Sequence, residues 1–219
     1  RPHSRERSKE HVVRLILDKG YSPDVLPPTE WYPEAARFLA TWRQEGLIVP
    51  EEQPAFYLYT QAFAHEGRRY RRKLLLGALR LATYGAGNVF PHENTTPGPK
   101  MSRLRLMQAC KANLSPILGF FPDPDGSVDA ALEALHSLAP AAAFADADGI
   151  AHELRVISGP EQQASLARRV APLPLYIADG HHRYETAVVY RDQERAKLPA
   201  ATGELPLDTL RQELVSLPS

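Results

Sequence analysis

The sequence predicts an α+β protein in which helices surround a small mixed sheet. Amphipathic helical patterns occur in both halves of the chain, and a hairpin pattern of two strands joined by a tight turn lies in the first half. A short apolar strand later passes directly into a helix. We expect the sheet to carry two polar loops at one edge, one after this strand and one near residue 92.

The first half of the chain predicts one helix and one hairpin. Apolar residues recur at helical spacing over Tyr32–Glu45, and Gly46 is expected to end that helix. The aromatic-rich stretch Pro54–Ala64 predicts one strand and Tyr70–Tyr84 predicts the other. The turn at 65–67 joins them.

The second half predicts further helices and a second strand pair. Helices are expected over Pro99–Ala112, after a cap at Ser127, and over Pro160–Val170. The stretches Ala141–Ala145 and Ala151–Ile157 flank a turn of Asp and Gly residues, which indicates two antiparallel strands.

We expect three segments along the chain. Residues 1–53 predict a mainly helical segment, 54–197 the α+β core that carries both polar loops, and 198–219 a tail. The sequence begins without Met and ends soon after the second polar loop. We therefore expect the tail to be a truncated continuation.

Composition limits the classes of partner. Of 219 residues 43% are apolar, and 26 Lys and Arg balance 26 Asp and Glu, so no net charge directs the chain to nucleic acid or membrane. The basic residues at 68–73 predict a solvated hairpin end. The single cysteine, Cys110, favours a reducing compartment, and the sequence shows no signal peptide or membrane span. We expect a cytoplasmic protein with no nucleic-acid or membrane partner.

The junction between the late strand and its helix carries the strongest chemical signal. Pro174–Ala178 predicts a buried strand, and Tyr184 begins a run of helix formers. Free backbone N–H groups and the helix dipole make such a junction an anion site. The residues between the two elements suit a phosphate group with a bound Mg²⁺: Asp179, Gly180, His181, His182 and Arg183.

Two other interpretations of this junction stay open. Asp-Gly is a common turn, and adjacent histidines can be ordinary turn residues. His181 and Glu185 also stand at i and i+4, which would place both on one helix face and suit a zinc ion with a third ligand. A metallohydrolase built on His181, His182 and Glu185 is the corresponding function.

The other polar loop follows the hairpin at 90–97. It contains His92 and Glu93, and loops at strand ends commonly hold working residues. Glu93 is a candidate general base or second metal ligand, and His92 would orient it or contact phosphate. Ordinary loop and helix-capping roles explain these residue types equally well.

Six motifs occur in a fixed order along the chain. The longest reads Tyr-Ile-Ala-Asp-Gly-His-His-Arg-Tyr-Glu-Thr-Ala, and the six lie at 54–57, 91–95, 97–100, 113–117, 148–152 and 176–187. Together they resemble an uncharacterised bacterial group, domain-of-unknown-function family 1015, over about Tyr32 to Gln193. The sequence departs at Met101 and Ser102, where the family usually has acidic residues. It also lacks family segments that we would expect at both ends.

The motifs at 91–93 and 179–183 are also similar to those of archaeal free-serine kinases, which have the ParB/sulfiredoxin-like fold. This resemblance implies that Glu93 is the catalytic base, that Asp179 and His182 are the other catalytic residues, and that Asp179 holds the metal. It also implies that Gly180, His181 and Arg183 form a phosphate cradle. His92, in the loop at 90–97, is the further nucleotide contact.

These residues predict a Mg²⁺-dependent phosphotransferase that acts on a small hydroxyl substrate. Free L-serine is the best match, with ATP or ADP as the donor. A nucleotide-binding or regulatory module of ParB-like type, without catalysis, is the alternative. His181 stands where sulfiredoxins carry their cysteine, so reduction of sulfinic acids is not expected. The expected fold is a small mixed sheet of ParB/sulfiredoxin-like type with surrounding helices, without the helix-turn-helix that ParB proteins add for DNA.

Overall fold

A computed structural model describes residues 12–16 and 29–197 of the chain. These residues form two units that alternate along the sequence. The first unit contains the described residues up to Pro50, then Leu79–Phe120, and then the described residues from Leu175 onward. The second unit contains Glu51–Ala78 and Phe121–Pro174. The boundaries expected at residues 53 and 197 stay a prediction, and the expected tail lies outside the described residues.

Short helices and strands make up both units and are numbered in chain order. They are α1 (Val13–Ile16), α2 (Trp31–Gln44), β1 (Phe56–His65), β2 (Arg68–Leu76), β3 (Val89–Phe90), α3 (Pro97–Cys110), β4 (Leu118–Phe120), α4 (Ser127–Ala134), the 3₁₀ turn Leu135–Ser137, β5 (Ala142–Ala145), β6 (Ala151–Ile157), α5 (Pro160–Val170), β7 (Leu175–Asp179) and α6 (His181–Ala196).

The first unit is built on a three-stranded mixed sheet in the order β3-β7-β4. β3 runs parallel to β7 and β4 runs antiparallel to it, so β7 lies in the centre. Parallel strands end at the same edge of a sheet, and each polar loop follows one of these two strands. The sheet therefore places both polar loops at one edge.

Two apolar clusters stabilise the first unit. One is formed mainly by α2 and α3, where Ala35, Leu39 and Trp42 pack with Leu106 and Cys110. The other joins the sheet to α6, and its fully buried members include Ile177, Tyr184 and Ala187. The amphipathic pattern that predicts α2 thus has its apolar face in a core.

Helix α6 begins three residues earlier than the sequence predicts. Gly180 precedes it with a φ of +97°, and the Tyr184 N–H donates to the Gly180 carbonyl over 2.9 Å. The polar run 181–183 therefore forms the first helical turn instead of a connecting loop. Its side chains are consequently directed by helical geometry.

The second strand of the predicted hairpin is shorter than expected. β2 ends at Leu76, opposite Tyr57 near the start of β1, because β1 offers few residues beyond that pair. The chain then enters the first unit as a loop at 79–88. There the Tyr184 hydroxyl donates to the Ala82 carbonyl over 2.7 Å and accepts from the Ala82 N–H over 3.1 Å. Arg191 also donates to the Leu81 carbonyl over 2.6 Å, so α6 holds this loop.

The second unit is a four-stranded antiparallel sheet in the order β2-β1-β6-β5. Leu58 and Ile157 from the two central strands pack against Val128 of α4 and Leu166 of α5. The pairing of β1 with β2 and of β5 with β6 confirms the two predicted strand pairs. The predicted cap at Ser127 is wrong by one position, because Gly126 precedes α4 and the carboxylates of Asp123 and Asp125 accept its first N–H groups.

The predicted α+β class is confirmed, with a mixed sheet in the first unit and an antiparallel sheet in the second. Among the residues that the structure describes, none of the helices combines the length and apolar character needed to cross a bilayer.

A chain of three polar side chains organises the β5–β6 turn of the second unit. The Tyr59 hydroxyl lies 2.6 Å from Nδ1 of His152, and Nε2 of that buried ring lies 3.1 Å from Oδ2 of Asp146. Asp146 also accepts the N–H groups of Asp148 and Ile150. The hydrogen bond to His152, followed by that from the Ile150 N–H, holds the pKa of Asp146 below its usual value.

Replacing Asp146 with Asn should reduce the acid dependence of stability. Because the folded-state pKa of Asp146 is depressed, its stabilising effect is present above the unfolded pKa of about 4 and is lost as the pH falls through the folded value. Urea denaturation from neutral pH to about pH 3 should show a lower midpoint for Asp146→Asn at neutral pH and a smaller fall on acidification. Asp148→Asn is the control, since Asp148 contributes its backbone N–H to the turn. Equal acid dependence in Asp146→Asn and the parent would contradict this assignment.

Candidate functional site

The two polar loops meet through the side chain of His181. The backbone N–H of His92 donates to Nε2 of His181 over 3.2 Å. Nδ1 of His92 in turn donates to the Ile177 carbonyl of β7 over 2.6 Å, since a carbonyl only accepts. The two imidazole rings meet edge to face with centroids 4.5 Å apart. These contacts fix the loop after β3 against the start of α6.

His181 also faces the carboxylate of Glu93. Its Nδ1 lies 2.9 Å from Oε1 of Glu93, although the angles are not those of a hydrogen bond. Because Nε2 accepts from His92, a neutral His181 ring carries its proton on Nδ1, toward Glu93. The His181 side chain is fully buried, whereas that of Glu93 is 53% exposed. The arrangement therefore orients a carboxylate that solvent and a ligand can reach.

Arg183 folds back over Gly180 and pairs with Asp179. Its Nη2 donates to Oδ2 of Asp179 over 2.6 Å. A Cβ built on Gly180 would lie 2.8 to 3.1 Å from the guanidinium atoms, so only glycine leaves room for this side chain. The positive φ of Gly180 also favours glycine. Nε of Arg183 is buried and has no hydrogen-bond partner among the described residues.

The N-termini of α3 and α6 lie side by side. The backbone N–H of Thr96, the residue before α3, donates to Nε2 of His182 over 3.1 Å. His182 stands in the first turn of α6. Both helices direct positive dipole ends toward this region, and α6 adds the free N–H groups of its first turn, whereas α3 begins with Pro97 and Pro99, which have none. The region therefore favours an anion. The bond from Thr96 also leaves the Nδ1 proton of a neutral His182 ring available to donate.

Glu185 forms a third polar cluster one turn further along α6. One of its oxygens, Oε2, accepts from the Thr95 hydroxyl over 2.6 Å and from Nζ of Lys100 over 2.9 Å. Partial burial acts to raise the pKa of Glu185, but the bonds from Thr95 and Lys100 outweigh it and lower the pKa below its usual value. Glu185 is therefore ionised near neutral pH and ties the start of α3 to α6.

A small cavity adjoins Arg183. Its volume of about 30 Å³ holds about one water molecule. Polar side chains of α3 and the loop after it share the lining with apolar ones; the polar residues are Arg103, Asn113 and Ser115. The motif at 113–117 thus lies beside the motif at 176–187.

The sequence-predicted site residues are brought together in the first unit. Glu93 meets His181, His92 meets His181 and β7, Asp179 meets Arg183, and Gly180 lies beneath the guanidinium. Their catalytic and nucleotide-binding roles stay predictions. Two further polar residues, Thr95 and Lys100, belong to the same surroundings but were not predicted as site residues, and they bind Glu185, which the sequence suggested only as a zinc ligand. The signal that could have found Thr95 and Lys100 is their position inside the motifs at 91–95 and 97–100.

The zinc interpretation has no support in this arrangement. His182 accepts from the Thr96 N–H, Glu185 is bound by Lys100, and His181 is buried between His92 and Glu93. Within residues 12–16 and 29–197, no three His, Cys, Asp or Glu side chains are grouped so that they could hold a metal ion. His181, His182 and Glu185 therefore have separate partners.

Comparison with known sequences places this site in a family. The family described as "Protein of unknown function (DUF1015)" matches residues 2–217 of the chain. The chain belongs to this DUF1015 family. No curated protein and no solved structure matches it. Membership confirms the family resemblance of the six motifs and assigns no activity.

Gly180→Ala should displace Arg183 in this DUF1015 protein. A Cβ at residue 180 would crowd the guanidinium, and it would also strain a residue with φ of +97°. Gly149→Ala is a matched control, because Gly149 has φ of +76° and nothing within 4 Å of an added Cβ. Urea denaturation should show similar losses of about 1 kcal/mol for both variants. The NMR signal of the Arg183 Nε–H should move only in Gly180→Ala, and an unmoved signal would refute the crowding.

Proposed function

We propose that this protein is a Mg²⁺-dependent phosphotransferase that acts on a small hydroxyl substrate. The observation that carries this proposal is the position of the Arg183 guanidinium over Gly180, beside the adjoining N-termini of α3 and α6. Glu93 follows β3, the strand that pairs in parallel with β7. This arrangement supplies cationic and backbone donors for phosphate beside an accessible carboxylate. ATP or ADP is the proposed donor and free L-serine the proposed acceptor.

Phosphate binding would use three groups of the strand–helix junction. The guanidinium of Arg183 and the backbone at Gly180 would bind and neutralise phosphate oxygens, and His182 would donate from Nδ1. Arg183 already pairs with Asp179, but that carboxylate is 71% exposed. Exposed pairs of this kind contribute little free energy, about 0 to 1 kcal/mol, so phosphate can take over the guanidinium.

Asp179 is the proposed protein ligand of Mg²⁺. Its exposed carboxylate at the end of β7 is a hard oxygen donor, and it has no cluster of other acidic ligands among the described residues. These features fit a Mg²⁺ ion that is held by one carboxylate, water and substrate phosphates. When bound, the ion would neutralise charge on the transferring phosphoryl group.

Glu93 is the proposed general base. It would take the proton of the substrate hydroxyl as that oxygen bonds to the terminal phosphorus of the donor, while the bond from phosphorus to the bridging oxygen breaks. The nucleotide leaves with one phosphate fewer and keeps the electron pair on that oxygen. His181 would act as a positioning residue, because its buried ring faces the Glu93 carboxylate.

We also propose that the first unit is related to the ParB/sulfiredoxin-like fold. The motifs at 91–93 and 179–183 are similar to those of ParB/sulfiredoxin-like free-serine kinases, and in this chain both lie at one edge of a small mixed sheet. A regulatory module that binds nucleotide without catalysis is the second candidate. The cavity beside Arg183 holds about one water molecule, so it would have to open for a nucleotide in either case.

Arg183→Ala should abolish or strongly weaken nucleotide binding. The change removes the guanidinium that the proposal assigns to phosphate, whereas Arg169→Ala removes an exposed arginine of α5. Isothermal titration of Mg·ATP and Mg·ADP into the parent and both variants measures this, with a loss of at least tenfold expected in Arg183→Ala alone. Equal binding by Arg183→Ala would remove Arg183 from the site, and no binding by the parent would overturn the proposal.

Glu93→Gln should keep nucleotide binding and lose phosphate transfer. The amide has the shape of the carboxylate but cannot accept the substrate proton, and loss of such a base typically reduces the rate by about 10² to 10⁴. Consumption of nucleotide with L-serine and related hydroxyl compounds gives the readout, and Glu161→Gln on α5 is the control. Full turnover by Glu93→Gln would disprove the base. Nucleotide binding without turnover by the parent would favour the regulatory module.

A further inference from the structure

The cavity beside Arg183 is lined by polar residues to which the proposed function gives no role. Arg103 of α3 lines it together with Asn113 and Ser115, which belong to the motif at 113–117. Within the part of the chain that the structure describes, none of these three side chains forms a hydrogen bond or an ion pair. The cavity is partly open to solvent, so a small ligand can enter it.

Arg183 contributes an unsatisfied donor to the same surroundings. Its Nη2 donates to Asp179, but its Nε is buried and has no acceptor among residues 12–16 and 29–197. A buried N–H without an acceptor costs free energy. The guanidinium and amide groups around the cavity all donate, and Ser115 can donate as well. The cavity therefore lacks an acceptor.

The charge of the lining indicates the class of ligand. Arg103 and Arg183 are both permanently cationic, and no Asp or Glu among the described residues lines the cavity. Asp179 pairs with Arg183 through an exposed carboxylate, whereas Arg103 has no such partner in the described chain. Two cations at one cavity repel each other unless an anion lies between them. The cavity therefore favours an anion over a neutral or cationic group.

The size of the cavity distinguishes between anions. It holds about one water molecule, so an oxygen atom of a carboxylate can enter it, whereas a whole phosphate group cannot. The two coplanar oxygens of a carboxylate also match the planar fork of a guanidinium. A water molecule would fit, but it would leave the two arginines without a counter-charge. A carboxylate thus meets the size, the charge and the missing acceptor together.

We propose that this cavity binds the carboxylate of the acceptor substrate, which makes the acceptor a small hydroxy acid or a hydroxyl-bearing amino acid. This inference rests on the proposed function and adds to it the residues that select the acceptor: Arg103, Asn113 and Ser115. Arg183 would contact both substrates, with its Nη atoms on phosphate above Gly180 and its Nε on the carboxylate. The motif at 113–117 thereby gains a role in specificity.

The test compares Arg103→Ala with Arg105→Ala in the full chain. Both changes remove an arginine of α3, but Arg105 does not line the cavity. Isothermal titration of L-serine, glycolate and ethanolamine, with and without Mg·ADP, measures binding. The parent and Arg105→Ala should bind the two carboxylates at least about tenfold more tightly than ethanolamine, which has none, and Arg103→Ala should lose this preference. Arg103→Lys should keep part of it, because the charge remains without the planar fork.

Titration of Mg·ATP, Mg·ADP and inorganic phosphate separates this inference from phosphotransfer. Arg103→Ala should bind both nucleotides within about twofold of the parent, because Arg183 and Gly180 are unchanged. Its urea midpoint should be equal or higher, since the change removes a repelling charge.

Four results would overturn the carboxylate site while nucleotide binding could still stand. They are a parent that binds neither carboxylate, a parent that binds ethanolamine equally well, undiminished carboxylate binding by Arg103→Ala, and Arg103-dependent binding of phosphate or nucleotide. Conversely, Arg103-dependent binding of L-serine or glycolate by a protein that neither binds nor consumes nucleotide would uphold the carboxylate site and overturn phosphotransfer alone.

Discussion

The site depends on the hydrogen bond from the His92 backbone N–H to Nε2 of His181. This bond joins the loop after β3 to the first turn of α6, through two residues that are 89 positions apart in sequence. It also places the proton of a neutral His181 on Nδ1, where the ring faces Glu93. Because His181 is buried, a proton on Nε2 instead would oppose the His92 N–H and would turn the Nδ1 lone pair toward the Glu93 carboxylate. The His92 N–H therefore fixes where the His181 ring lies and which of its nitrogens carries the proton that faces Glu93.

Arg183 and Glu185 show two different uses of an ion pair on one helix. The Arg183–Asp179 pair has an exposed carboxylate, so its free energy is small and a stronger anion can replace it. The Glu185–Lys100 pair is more buried and is supported by the Thr95 hydroxyl. Because both side chains are only partly exposed, breaking this pair costs more free energy than breaking the Arg183–Asp179 pair. The Arg183–Asp179 pair therefore suits exchange with a ligand, whereas the Glu185–Lys100 pair suits a structural role that holds α3 against α6.

Much of the fold was predictable because local periodicity and turn residues determine it. The helix at Trp31–Gln44 and the strand pair Ala142–Ala145 and Ala151–Ile157 follow from apolar spacing and from Asp-Gly turn chemistry. The start of α6 was misplaced because histidines are weak helix formers, whereas the Gly180 conformation and the packing of Tyr184 favour helix there. Tertiary packing outweighed local propensity at that point.

The candidate site was predictable in part, from its residue types. Motif order indicated that Glu93 and Asp179–Arg183 belong together, but the fully buried position of His181 required three-dimensional contacts. Lys100 resembles an ordinary surface residue in sequence, and only its contact with Glu185 in space distinguishes it. The division of the first unit into three chain segments also affects how the site is made. During synthesis Glu93 leaves the ribosome before β7 and α6. Its carboxylate therefore stays in contact with water until about ninety more residues have been synthesised and His181 can pack beside it.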